Sequence, residues 1–188
     1  MQIRMITRKE AITILHNYLQ DDKLRKHSYA VEVIMRETAS FLNKDIHLWG
    51  IVGLLHDIDY EYTQTNPNEH GTISAELLND LLPSKAINAI KGHNYIHTGY
   101  LPTTYLDKAL IASDAISGLI IATALVMPNK KLEEVKISSL KKKMNDASFA
   151  KNIDRKRIQL CKDLGIDIDA FLKISLTALQ KINKDLCL

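Results

Sequence analysis

At 188 residues, 46% hydrophobic and 25% charged, the chain has the make-up of one ordinary globular domain, long enough to bury a real core. A net charge of +3 does not announce a nucleic-acid binder and is compatible with an anionic substrate. Cys161 and Cys187 form no paired motif, no run of 18 apolar residues occurs, and the N-terminal MQIRMITRKEAITILHNYL lacks a signal peptide's apolar core and cleavage site; this argues against a disulfide scaffold, a cysteine zinc site and a membrane partner, and for a reducing, cytoplasmic location.

The hydrophobic periodicity is helical nearly throughout, with no convincing strand alternation. Thr7 followed by Glu10 predicts a capping box and a first helix through TRKEAITILHNYL. A second helix is expected over about 22–43, with Ala30, Val31, Ile34, Thr38 and Phe41 inward and His27 extending that face. A third, about 45–58, carries Leu48, Ile51, Val52 and Leu55. Pro67 after Asn66 suits a helix start, which predicts a helix over 68–81 with Ile73, Leu77, Leu81 and His70 on one face. Pro83-Ser84 opens a short helix with Ile87 and Ile90 inward and His93 one step further; NYIHTGYLPTT reads as a loop. A long helix over 104–126, stopped by Pro128, presents Asp107, Leu110, Ile111, Asp114, Ser117, Gly118 and Ile121 as a stripe. A basic segment and two helices, about 147–164 and 167–184, complete the chain. The expected fold is an all-α, single-domain bundle of roughly nine helices, with no repeat, linker or domain boundary.

Several polar residues fall on the apolar faces. The pair His56-Asp57 in GLLHDIDY proves little alone, since a His-Asp dipeptide is expected about once in two chains of this composition. His27, His70, His93 and Asp114 lie on neighbouring faces. A lone histidine on such a face is more often a hydrogen-bonded core residue than a ligand. Ionised carboxylates are harder to dismiss, because burying one alone costs several kcal/mol. No basic residue is close to Asp114 in sequence, and Asp57 falls at a helix C-terminus, where the dipole disfavours an anion. Neutral imidazoles do not cancel two carboxylates; a divalent cation does, and this donor set suits Mn, Fe, Co, Ni or Zn, with Mg possible. His27, His56, Asp57 and Asp114 would make one site with open positions. His70 and His93 could hold a second ion, with Asp57 bridging.

In that order and at those intervals, RKHSYAVEVI, GLLHDIDY and ALIASDA resemble the HD superfamily of metal-dependent phosphohydrolases, whose His…His-Asp…Asp pattern here is His27, His56, Asp57 and Asp114. EHG at His70 and GHN at His93 are similar to the bimetal subset, and the chain looks like a small stand-alone HDIG-type predicted hydrolase, with Asp59 where the HDIG variant has glycine. The resemblance covers about residues 25–126. It implies an HD metal-binding core over 22–126 within a single domain 1–188, a C-terminal helical extension over 129–188, and one or two divalent ions. The implied reaction is in-line attack of metal-activated water on a nucleotide or other small phosphoester. Asp57, Asp59 and Lys108 are the catalytic candidates, with Asp59 an optional acid or an orienting group. Lys136, Lys142 and Arg155 are further phosphate-binding candidates, although a lysine run is more often a solvated face. His97 is open between ligand, substrate contact and surface. Tyr60, Tyr62, Tyr95 and Tyr100 could stack on a base, form a rim or simply pack, and His16 and His47 lack context. A small phosphorylated substrate is the expected partner, with homo-oligomers possible. The competing readings are a non-catalytic metal- or nucleotide-binding HD module for sensing or partner docking, and a plain structural bundle with incidental histidines.

Overall fold

Residues 5–188 are described by a computed structural model. Helix α1 (Arg8–Tyr18) starts at the expected capping box: Thr7 accepts from Glu10 N–H, and the Glu10 carboxylate returns to the Thr7 backbone. Helix α2 (Asp22–Phe41) is capped by Asp21, and α3 (Ile46–Leu55) by Asp45. These two helices pack closely because Gly53 lacks a side chain; a Cβ there would sit 3.0 Å from the Val31 carbonyl. Glu32, fully buried in α2, accepts both Nε and Nη2 of Arg8 and Nε of Arg36, which ties α1 to α2.

The short α4 (Tyr60–Thr63) follows, then a turn through 65–71 and α5 (Thr72–Leu78). Helix α6 (Ser84–His93) and the single turn α7 (Tyr95–Thr98) lead to α8 (Tyr105–Leu125), which opens on a second capping box between Thr104 and Asp107. Helices α9 (Ile137–Asn145), α10 (Arg155–Gln159), α11 (Ile168–Gln180) and α12 (Asn183–Leu186), with 3₁₀ turns at 132–134 and 160–164, close over α8 and α2. No strand occurs among the described residues. One hydrophobic core runs through all of this, from Leu15 and Leu19 through Ile34, Ile51, Leu54 and Leu78 to Phe171. Each such fully buried side chain contributes about 1.5–3 kcal/mol.

Helix α8 is long and apolar enough to cross a membrane by length and composition alone, although Asp107, Lys108 and Asp114 interrupt its apolar run. Its apolar window is 67% buried inside the protein, as befits a core helix.

Four expectations are corrected. Phe41 is 56% exposed, because α2 ends there and its inward face stops at Thr38 and Ala39. Pro67 lies in a turn, and the helix starts only after Gly71, which is in the left-handed region at φ 85°. That delay rotates the phase: Ser74, Ala75 and Leu78 are buried, whereas Leu77 is exposed. The stretch 94–104 contains the helical turn α7. Residues 147–154, expected as the start of a helix, form turns because the Arg155 guanidinium donates to the carbonyls of Lys143, Asp146, Phe149, Ala150 and Ile153, and Asp154 caps α10 instead.

Candidate metal centre

The bundle brings six polar side chains to one point. His27 comes from α2, His56 and Asp57 from the end of α3, His70 from the turn before α5, His93 from the last residue of α6, and Asp114 from the middle of α8. Asp57 Oδ1 lies 3.1 Å from His56 Nε2, 3.2 Å from His93 Nε2 and 3.4 Å from His70 Nε2. His27 Nε2 lies 3.6 Å from Asp57 Oδ2 and 3.2 Å from Asp114 Oδ1. His70 and His93 approach Nε2 to Nε2 at 3.0 Å. Two triads share Asp57: His27, His56 and Asp57, and Asp57, His70 and His93; the donor atoms within each lie within 4.8 Å of one another.

Hydrogen bonds at the outer nitrogens decide what the inner ones present. His56 Nδ1 is 2.9 Å from the Gly53 carbonyl, His93 Nδ1 is 2.5 Å from the Ile90 carbonyl, and His70 Nδ1 is 2.9 Å from Asp59 Oδ1. Carbonyl and carboxylate oxygens only accept, so each Nδ1 carries a hydrogen. His27 Nδ1 is 3.3 Å from Ser117 Oγ, whose own hydrogen goes to the Asp114 carbonyl at 2.8 Å. The neutral rings therefore aim four Nε2 lone pairs inward, toward each other and toward two carboxylates. His56 Nε2 and Asp57 Oδ1 are buried without a hydrogen-bond partner among the described residues. Unsatisfied buried polar atoms cost about 1–3 kcal/mol each. A divalent cation converts this repulsive set into ligands, and the donors are those that imidazole-preferring divalent metals take.

Protons can relieve the same crowding in part. Burial pulls the His27 imidazole down, but its bond to Asp114 and the Asp57 charge outweigh that and raise it. Burial likewise opposes His70, and Asp59 and Asp57 raise it above the ordinary value. Burial dominates at His56, which falls to about 4 and stays neutral. Asp57 is held well below the usual carboxylate range, the surrounding imidazoles overcoming desolvation; at Asp114 burial is overcome chiefly by Arg157.

A match to the HD domain family covers residues 24–145. The chain belongs to the HD domain family. It is thereby a member of a metal-dependent hydrolase superfamily, on the all-α fold the resemblance implied. Neither a curated protein nor a solved structure matches it. The match ends inside the segment 129–188 expected as a C-terminal extension, and α10 to α12 of this HD domain protein lie beyond it.

His27, Asp57, His70, His93 and Asp114 open into a cavity of about 380 Å³ lined also by Leu24, Tyr60, Asn94 and Arg157, with His56 buried behind it. Tyr60 stands edge-on to His70, with ring centroids 5.3 Å apart. Asn94 Nδ2 donates to the Pro67 and His70 carbonyls and so holds the turn that carries His70.

Asp59 and Lys108 are not brought to the cavity. Asp59 is fully buried beside it; its Oδ2 accepts from Gly71 N–H at 2.7 Å and Ser74 N–H at 2.8 Å, and its Oδ1 from His70. Desolvation is overcome by these bonds, which hold Asp59 below its ordinary pKa. It caps α5 from a distance and orients His70. Lys108 Nζ pairs with Asp163 Oδ2 at 2.9 Å, on the outer side of α8. Among the basic-segment candidates, Lys136 and Lys142 are exposed and Arg155 is committed to backbone carbonyls. His97 is exposed, His16 bonds Tyr29, and His47 bonds the Ile6 carbonyl. Tyr62 and Tyr100 are exposed, and Tyr100 lies under Lys91.

Sequence reasoning missed Arg157. Its Nη2 donates to Asp114 Oδ2 at 2.9 Å and to the His93 carbonyl at 2.8 Å. Asp114 thus has a basic partner after all, 43 residues away, and the absence of a sequence neighbour was no guide. The signal available was the RKR cluster at 155–157, in which Arg155 was the residue chosen.

Proposed function

We propose that this chain is a metal-dependent phosphohydrolase acting on a small phosphoester, with His27, His56, Asp57, His70, His93 and Asp114 as the ligands of one or two divalent ions. The observation that carries the reading is the convergence of four imidazole Nε2 atoms on the Asp57 carboxylate, three on Oδ1 and that of His27 on Oδ2, beside an open cavity that Asp57 lines. A bound divalent ion supplies Lewis acidity toward a phosphoryl oxygen and acidifies a coordinated water.

The chain's own residues do the rest. Asp57 belongs to both triads, so it would serve as a ligand in either. Gly53, Ile90, Asp59 and Ser117 hold the four rings in the tautomer that offers Nε2, so no ring has to reorganise. Leu24 and Tyr60 line one side of the cavity. That Asp59 orients His70 is part of the same proposal.

The test uses purified protein, stripped with chelator and reloaded separately with Mn²⁺, Fe²⁺, Co²⁺, Ni²⁺, Zn²⁺ or Mg²⁺. Metal content is read by elemental analysis and turnover with p-nitrophenyl phosphate and a nucleotide panel. One or two equivalents of metal and metal-dependent phosphate release are expected. Stoichiometric metal without turnover of any ester would point instead to a binding module and defeat the proposal.

A further inference from the structure

Arg157 has two features that the metal ligands leave unexplained. It reaches the cavity from α10, outside the segment that matches the HD domain family. Its hydrogen bonds, to Asp114 and to the His93 carbonyl, use Nη2 alone, while its buried Nε has no partner among the described residues. A buried donor on a guanidinium without an acceptor needs an explanation, since such groups are almost always paired. The segment before it is built to place it. Arg155 gathers the carbonyls of 143–153 into turns, Asp154 caps α10 through Lys156 N–H, and Ile158 anchors the helix in the core. Among the described residues, Arg157 is also the only lysine or arginine lining the cavity.

We propose that Arg157 binds the substrate directly, as the guanidinium that holds the anionic oxygens of the phosphoryl group under attack. The inference rests on the phosphohydrolase reading and deepens it. With Nη2 on Asp114 and the His93 carbonyl and Nε buried, Nη1 is the part of the guanidinium left to meet an anion in the cavity, and a charge-assisted bond to a phosphoryl oxygen suits it. Because Arg157 touches Asp114 itself, the phosphoryl group it holds is the one beside the metal ligands and not a remote phosphate. In a cavity of about 380 Å³ this favours a terminal phosphoryl group on a small molecule. The C-terminal region would then supply specificity to a centre whose metal ligands all lie within the family-matched segment.

The experiment measures binding of inorganic phosphate, and separately metal content, for Arg157→Ala, Arg157→Lys and the unmodified protein, all metal-loaded. Arg157→Ala is expected to keep its metal and to weaken phosphate binding about 10- to 100-fold, the range of a charge-assisted hydrogen bond. Arg157→Lys, a point charge without the fork, should fall between. Added guanidinium should restore phosphate binding to Arg157→Ala, which a merely structural role would not allow. Unchanged phosphate affinity in Arg157→Ala overturns the proposal. So does loss of metal from both variants, which would make Arg157 a support for Asp114 only. If the unmodified protein binds no metal, the phosphohydrolase reading itself fails, and this inference with it; metal without phosphate binding defeats the inference alone.

Discussion

Asp57→Asn separates a metal centre from an internal ion-pair network. Asparagine keeps the shape of Asp57 but removes the charge that four Nε2 atoms surround at 3.1–3.6 Å. A ligand that binds only the folded state stabilises it by about 2.7 kcal/mol at 100 times its Kd. Unfolding a chain of 188 residues releases roughly 0.4 kcal/mol per kelvin of entropy, at about 2.1 cal/mol/K per residue. The unmodified protein should therefore melt about 7 °C higher with saturating metal than with chelator. Asp57→Asn should lose that difference. In chelator at mildly alkaline pH, where the imidazoles are neutral, the variant should melt no lower than the unmodified protein, because a buried carboxylate facing lone pairs costs several kcal/mol. Differential scanning calorimetry with and without Mn²⁺ gives both numbers. The reasoning is refuted if the chelated variant melts about 8–12 °C lower, the 3–5 kcal/mol loss expected for breaking a structural ion pair. It is also refuted if the variant keeps the full metal shift.

Metal affinity should rise with pH. The folded pKa values of His27 and His70 are raised, so in the metal-free protein their protonation stabilises the fold fully below about pH 6.5 and that contribution is lost as pH climbs through the raised values. Metal needs the unprotonated rings, so its Kd should tighten over that same window, with proton release; a competition titration showing a flat profile there would contradict this. Gly71→Ala should destabilise by about 1–3 kcal/mol, because a side chain at φ 85° is strained and its Cβ would lie 2.9 Å from both His93 Cε1 and the Ile90 carbonyl; thermal unfolding measures it, and an unchanged melting point rejects the packing argument. Asp59→Asn should weaken metal binding about 10- to 100-fold, since an amide cannot replace the carboxylate that accepts from His70, Gly71 and Ser74. Elemental analysis against a graded chelator reads that effect, and full retention of both ions would remove Asp59 from the orienting role.

Helix starts were legible where a capping box marks them, and not at Asn66-Pro67, whose local signal falls in a turn. Thr7 with Glu10 and Thr104 opposite Asp107 start their helices as expected, because a cap involves residues only three apart. The helix after Pro67 was misplaced because its cap is Asp59, which is 15 residues from the Ser74 N–H it accepts. No local pattern announces such a bond.

What the amino-acid sequence marked out alone was the helical class and the six histidines and aspartates, although it set His70 on a helix face where the structure has the turn before α5. Both follow from rules that act residue by residue: apolar spacing selects helix faces, and a carboxylate or imidazole on such a face must find a partner in the interior. What only the tertiary structure decided was who the neighbours are. It turned Lys108 outward to Asp163, spent Arg155 on backbone carbonyls, brought Arg157 to Asp114, and made Asp59 the group that orients His70. The physical reason is range. A buried charge reveals that a counter-charge is needed, but its identity depends on how α8, α10 and the 65–71 turn pack, and an ångström-scale shift between packed elements changes which cation arrives.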